Sequence, residues 1–253
     1  MVGSQPSSRV VARGGGRELG VAPPVVAFLG EDGVELQEPL RECALRRFEG
    51  GAPVRSFPSY RGQRNWPGWW WSSTTGAHVG FESWLERDHV MALDFAPDVV
   101  GFAAQPFWLV LQVEDQVRWH VPDFFARHTD GTATVIDSRG EDRIKPHDAA
   151  VFAATGRACE IVGWGYRRVG ALPAAEVENL RWLAGYRQPR FAVADTVERL
   201  RAVFAVPRSL MEGARWFGSG PSVQPVLFHL LWRGRLRTDL SRPLSDFSVV
   251  AGA

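Results

Sequence analysis

The chain has 253 residues, 45% of them hydrophobic, and a formal net charge of +1. That is enough apolar material for one large or two small cored domains, and the near-neutral balance excludes a global basic field, so any affinity for a polyanion rests on local arginine clusters. Two cysteines, Cys43 and Cys159, exclude a disulfide framework and point to a reducing, cytoplasmic setting. No apolar run approaches the roughly 20 residues of a membrane span, and the first residues lack the apolar core of a secretory signal.

Residues 1–24 are rich in Gly, Ser, Arg and Pro, a composition expected to stay mostly disordered. Residues 25–29 and 34–36 are predicted to pair as a short hairpin across Glu31-Asp32-Gly33. Residues 39–48 read as a short helix carrying Arg41, Arg46 and Arg47, with DNA-backbone contact as the less favoured role for those charges. Residues 57–79 place Trp66, Trp69, Trp70 and Trp71 among Arg61 and Arg64. Aromatics beside arginines stack exposed bases, whereas a strand pair whose tryptophans cover the core is the plainer reading.

The next stretch, residues 81–139, carries most of the chemistry. At 100° per residue Trp84, Leu85, Met91, Ala92 and Phe95 share one helical face. Glu86 falls on the side of Val90 and Leu93, and only Arg87 and Asp94 sit on a polar edge. A helix this apolar is expected to be buried, leaving Glu86 half-buried. Ser83-Trp84-Leu85-Glu86 also fits a capping box, in which the glutamate ties down the helix start. Both readings of Glu86 stand.

Strands follow. Residues 107–113 form an apolar run, Glu114-Asp115 makes a turn, and Val117, Trp119 and Val121 alternate with Arg118, His120 and Pro122. Proline cannot donate to a ladder, so Asp123 falls at the margin of that strand. Thr129-Asp130-Gly131 is a hairpin signal, and residues 132–136 form the strand that delivers Asp137. Three acids on a buried helix and two strand ends require a cation or donors. Such a set suits magnesium, which takes hard carboxylate ligands at about 2.0–2.1 Å and keeps waters for chemistry; manganese is its natural substitute. His120 and His147 lack ligand-like spacing and are expected to be surface or hydrogen-bonded groups.

Pro146 suits the first turn of a helix running to Gly156, followed by a strand over 159–164. Strand, crossover helix and strand imply a parallel pair. The order helix, three strands, helix, strand then closes an α/β core. Residues 173–186 form a connecting helix, three more helices begin near Asp195, Ser209 and Ser222, and residues 235–250 form a two-stranded wing. Residues 206–243 carry six arginines against two acids, a local charge of +4. This tail, 171–253, reads as a winged-helix-like partner-binding domain beside a core over 25–170, with a helical tail packed on that core as the plainer alternative.

The strings SWLE, then PD, then DSR after one hairpin resemble the PD-(D/E)xK nucleases. LDFAPDVVGFAAQPFWL followed by VPDFF, a D-G turn and VID, together with the tail FHLLWRGRLRTDLSRPLS, is more specifically similar to the TnsA-like endonuclease subunits of heteromeric transposases, over about residues 66–160 and the tail. The resemblance implies a restriction-endonuclease-like core, a mixed sheet flanked by helices, with Glu86, Asp123 and Asp137 as metal-holding catalytic acids. It implies hydrolysis of 5′ strands at transposon ends, beside a TnsB-like transposase subunit and a TnsC-like ATPase regulator. The chain departs from the family where lysine is expected two residues after the last ligand, for Arg139 stands there. Arginine is permanently charged; it can steady a phosphate but cannot act as a base. Lys145 is the only lysine in the chain, and it is a candidate to share that role, set against the alternative of a chance survivor on a solvated helix. Arg61, Arg64 and Arg143 are the candidate DNA contacts. The alternatives are a stand-alone restriction or repair nuclease, and an inactive assembly module of the same fold.

Overall fold

The computed structural model describes residues 22–57, 66–140, 144–217 and 223–253, with the backbone of residues 10–11 and 18–19. The chain divides into two units. The first takes Met1–Trp69, Val79–Glu86 and Asp98–Gly170, and the second takes Trp70–His78, Arg87–Pro97 and Ala171–Ala253. A break at 170/171 matches the expected boundary. The two internal segments of the second unit do not, because they lie inside the expected nuclease core.

In the first unit, β1 (Val10–Val11) and β2 (Glu18–Leu19) pair antiparallel within the segment expected to be disordered; the rest of residues 1–21 lies outside the described residues. The predicted hairpin forms as β3 (Val25–Leu29) and β4 (Glu35–Pro39). The expected helix over 39–48 is instead two 3-10 turns, Leu40–Cys43 and Phe48–Gly50. These tight turns bury Leu40, Cys43 and Phe48, whose spacing of three and five leaves no continuous α-helical stripe. Strands β5 (Gly68–Trp71) and β6 (His78–Phe81) make a two-stranded sheet, and they lead into α1 (Trp84–Phe95).

Five strands follow α1, not three: β7 (Val99–Ala104), β8 (Trp108–Val113), β9 (Gln116–His120), β10 (Phe124–His128) and β11 (Ala133–Ser138). They divide between two four-stranded sheets, in the orders β4-β3-β8-β9 and, with β12 (Gly165–Val169), β12-β11-β10-β7. The first is antiparallel throughout. In the second, β10 runs antiparallel to β7 and β11, while β11 and β12 are parallel across α2 (Pro146–Ile161). Gly131 at φ 85° closes the β10–β11 turn, a conformation a side chain would resist, and Asp130 Oδ1 accepts from Thr132 N and Oγ. Helix α2 does not stop at Gly156; it continues through Cys159, and the strand starts later than predicted. At the centre of this core Phe48 meets Phe107 and Trp164 edge to face, as Phe125 does Trp164, while Phe107 stacks on Trp164, geometries that aromatic quadrupoles favour.

The second unit contains the rest of α1, α3 (Ala174–Ala184), α4 (Ala194–Val203), α5 (Leu210–Arg215) and α6 (Val223–Trp232). A small sheet of β13 (Arg208–Ser209), β14 (Leu236–Thr238) and β15 (Val249–Gly252), in the order β13-β15-β14, completes it. Met91, Ala92, Phe95 and Trp70 pack with Leu227, Leu231 and Trp232 in one cluster. Residues 171–253 therefore share a core with α1, and a chain ending near Arg187 would strip most of that core away. Asp94, expected on a polar edge, is buried. Its carboxylate accepts from Trp70 Nε1 (3.0 Å), Ser72 Oγ (2.8 Å), Ser73 N (3.1 Å) and Thr74 N (2.8 Å). Backbone amides and hydroxyls can satisfy a buried carboxylate as a cation would, and this is what makes a charged residue possible there. Trp70 belongs to this core, while Trp66 and Trp69 are exposed, so the tryptophans do not act as one covering layer.

No described helix is long and apolar enough to cross a membrane.

Candidate active site

Strand β9 ends at His120, and Asp123 opens β10 after the buried Pro122, instead of ending the previous strand. The register Phe124↔Ile136 and Phe124↔Ala104, carried on by one residue, sets Asp123 opposite Asp137 on one side and Gln105 on the other. Gln105 N donates to Asp123 O at 3.0 Å, which extends the ladder to that row. Directly opposed strand residues share a face, so the topology itself brings the two acids together. Asp123 Oδ2 accepts from Ser138 N at 2.6 Å.

Burial, before any other cause, holds the Asp123 carboxyl well above the usual carboxylate range, and the neighbouring charges of Glu86 and then Asp137 push it the same way. The Ser138 amide and the Arg139 guanidinium oppose them. Glu86 is likewise raised, chiefly by burial. Helix α1 places it there through its first turn. Ser83 Oγ accepts from Glu86 N (3.2 Å), while the Glu86 carboxylate accepts from Glu82 N (2.7 Å) and Ser83 Oγ (2.9 Å). The two readings of Glu86 are thus compatible. The residue caps the helix, and it also stands close enough to Asp123 for the two charges to repel.

Asp137 is 2% exposed and held differently. His120 Nε2 lies 3.0 and 2.9 Å from its two oxygens, and Tyr166 OH donates to Oδ2 at 2.8 Å. A carboxylate only accepts, so the imidazole proton belongs on Nε2. Burial pushes the Tyr166 phenol up, and the charge of Asp137 and the hydrogen bond to it add to the effect. Gly156 of α2 makes room for the ring, since a Cβ there would come within 3.3 Å of Tyr166 Cδ1.

Arg139 is exposed at the end of β11; its N–H donates to Val169 O (2.8 Å), and its charge bears on Asp123. Lys145 is exposed at the start of α2, where its backbone N–H donates to Asp148 Oδ2 at 3.4 Å. Among the described residues no hydrogen bond or ion pair joins Lys145 to Asp123 or Asp137. His147 pairs with Asp148 at 3.0 Å on the surface. Arg61, Arg64 and Arg143 lie outside the described residues. His120, expected to be a surface or hydrogen-bonded group, is hydrogen-bonded, its partner being Asp137; sequence reasoning missed Gln105 and Tyr166. Only the sheet register, with Tyr166 beside Val135 and so diagonal to Asp137, brings Tyr166 within reach of Asp137.

Among the described residues no three His, Cys, Asp or Glu side chains are grouped to hold a metal ion. The donor chemistry nonetheless fits one hard cation. Two carboxylates whose ionisation burial disfavours, Asp123 being pushed further by the charge of Glu86, would be relieved by a divalent charge, and magnesium is commonly held by only one or two carboxylates. Asp137, gripped by two donors, is either an oriented further ligand or a sequestered one. No protein-family model matches the chain, and no curated protein matches it.

Proposed function

We propose that the chain is a magnesium-dependent DNA endonuclease subunit of a heteromeric transposase, with a restriction-endonuclease-like core and a winged-helix-like tail. The observation that carries the reading is the placement of Asp123 directly opposite Asp137 in the sheet register, near enough to Glu86 at the start of α1 for both charges to bear on it. The order of α1, antiparallel strands, α2 and a parallel β12 supports it, as do the short helices and three-stranded sheet of the tail. Glu86 and Asp123 would hold magnesium, or manganese in its place, with Asp137 completing or orienting the site. Bound there, the ion would supply Lewis-acid chemistry, offsetting phosphate charge and acidifying water. Arg139, permanently protonated, would steady the negative charge of the phosphate without moving a proton. Cleavage would fall on 5′ strands at transposon ends, beside a TnsB-like transposase subunit and a TnsC-like ATPase regulator.

The test is strand nicking of transposon-end DNA by the complete assembly. Wild-type chain should nick with magnesium and not with EDTA, and Asp123→Ala should leave the DNA intact while the protein still melts cooperatively. Equal nicking by wild type and Asp123→Ala would refute the assignment. A second reading, an inactive assembly module, draws on the capture of Asp137 by His120 and Tyr166 and on arginine at position 139. It predicts no nicking and no magnesium binding.

A further inference from the structure

Gln105 is the residue of this row that neither the capping of α1 nor the acid cluster explains. It is 1% exposed, yet its backbone sits at φ 48°, in the left-handed region that a non-glycine residue enters only at a cost. Val54 N donates to its carbonyl (2.9 Å), and its own N–H donates to Asp123 O (3.0 Å), so both neighbours fix the strained conformation. Its side-chain oxygen accepts from Arg55 Nε at 2.9 Å. That bond settles which end of the amide is which, because an NH₂ group facing the guanidinium would set donor against donor. The same Arg55 binds the Glu82 carboxylate, and Glu82 N donates to Glu86. The amide is thereby built into the frame that holds both Glu86 and Asp123.

What remains is Gln105 Nε2. It is buried and has no hydrogen-bond partner among the described residues, although a buried donor left unmade costs about 1–3 kcal/mol. A fixed, desolvated N–H group in the same row as two acids is what an anionic oxygen arriving between them would need. Carboxylates alone repel a phosphate, and a neutral donor stabilises its charge without adding a group that titrates.

We propose that Gln105 Nε2 donates a hydrogen bond to a non-bridging oxygen of the scissile phosphate. This makes Gln105 a further catalytic residue, one that neither forms nor breaks a bond. The assignment rests on the nuclease reading above, and its test separates the two.

The experiment uses the full chain in its complete assembly with magnesium and a transposon-end duplex. The duplex carries either a normal phosphate at the cleaved position or a single phosphorothioate there, as each pure diastereomer. Gln105→Met removes the donor, and Gln105→Glu removes it while keeping an acceptor for Arg55. Both should nick the normal duplex at least about 100-fold more slowly, the usual effect of deleting one oxyanion donor. Wild type should discriminate between the diastereomers, and the variants should lose much of that discrimination. A merely structural role would lower all three rates together and leave the ratio intact, and that result would overturn the proposal. So would nicking by either variant within about threefold of wild type. Should Gln105→Met fail to fold, Gln105→Glu decides alone. An inert wild type would bring down the nuclease reading and this inference with it, whereas an active wild type with indifferent variants would bring down this inference only.

Discussion

Tyr166 and Asp137 meet across the parallel β11–β12 pair, the phenol donating to Asp137 Oδ2 at 2.8 Å. Such a partner can orient a metal ligand, and its loss then weakens metal affinity about 10–100-fold. Tyr166→Phe is therefore expected to bind magnesium that much more weakly by calorimetry, and to lose about 1.5–3 kcal/mol of stability for a bond to a charged group. Tighter magnesium binding would mean that the tyrosine withholds Asp137, and would favour the assembly-module reading.

Asp123 carries a pH signature. Burial and the charges of Glu86 and Asp137 raise its folded-state value above the ordinary 3.8, so its ionised form destabilises the fold. The penalty is absent below about pH 3.8, appears as pH rises past that value, and is complete above the raised folded value. Asp123→Asn removes it. The variant should melt with wild type near pH 3.5 and above it at pH 7.5, by roughly 2–4 °C for each kcal/mol relieved. Magnesium should raise the melting temperature of wild type alone. A variant less stable at pH 7.5 would show that the Ser138 hydrogen bond outweighs the repulsion.

The two cations after β11 are both exposed and separate by reach. Arg139 is the one whose charge bears on Asp123, while Lys145 stands exposed at the α2 start. Lys145→Arg should nick within about twofold of wild type. Arg139→Ala should lose at least tenfold, about 1.4 kcal/mol of barrier, and Arg139→Lys should recover most of it. A tenfold loss in Lys145→Arg would return the lysine role to Lys145.

Asp94 predicts a structural effect within the second unit. Five donors converge on its carboxylate from residues 70–74, so Asp94→Ala strands several of them at about 1–3 kcal/mol each when buried. Chemical denaturation should show a loss of at least about 2 kcal/mol, with Asp94→Asn intermediate. A loss below about 0.5 kcal/mol would mean that water replaces the carboxylate.

The parts of this fold legible in the sequence are those where local pattern and burial agree. The 25–39 hairpin, the start of α1 at Ser83, the turn at Gly131 and Pro146 at the head of α2 each rest on a residue with one strong conformational preference. Strands β7 and β10 were not anticipated, since VVGFAA has weak strand formers at half its positions and FFARH follows a proline that reads as an ending. Asp94 read as surface because helical periodicity records which face is apolar and is blind to a loop that returns to satisfy a charge. The acid cluster was anticipated through Glu86, Asp123 and Asp137 as residue types. Its partners were not, because His120, Tyr166 and Gln105 reach Asp137 and Asp123 only through strand register, a property of pairs of segments and not of either alone.

Cys43 and Cys159, the chain's two thiols, are both buried and pushed up to about 12 by burial, so neither is a nucleophile while folded. Both belong to the first unit, and the second has none. Alkylation at pH 8 therefore acts as a built-in clock for the opening of the first unit alone. Its rate can be followed with magnesium, with DNA or with a partner subunit present, and no label needs to be engineered into the chain.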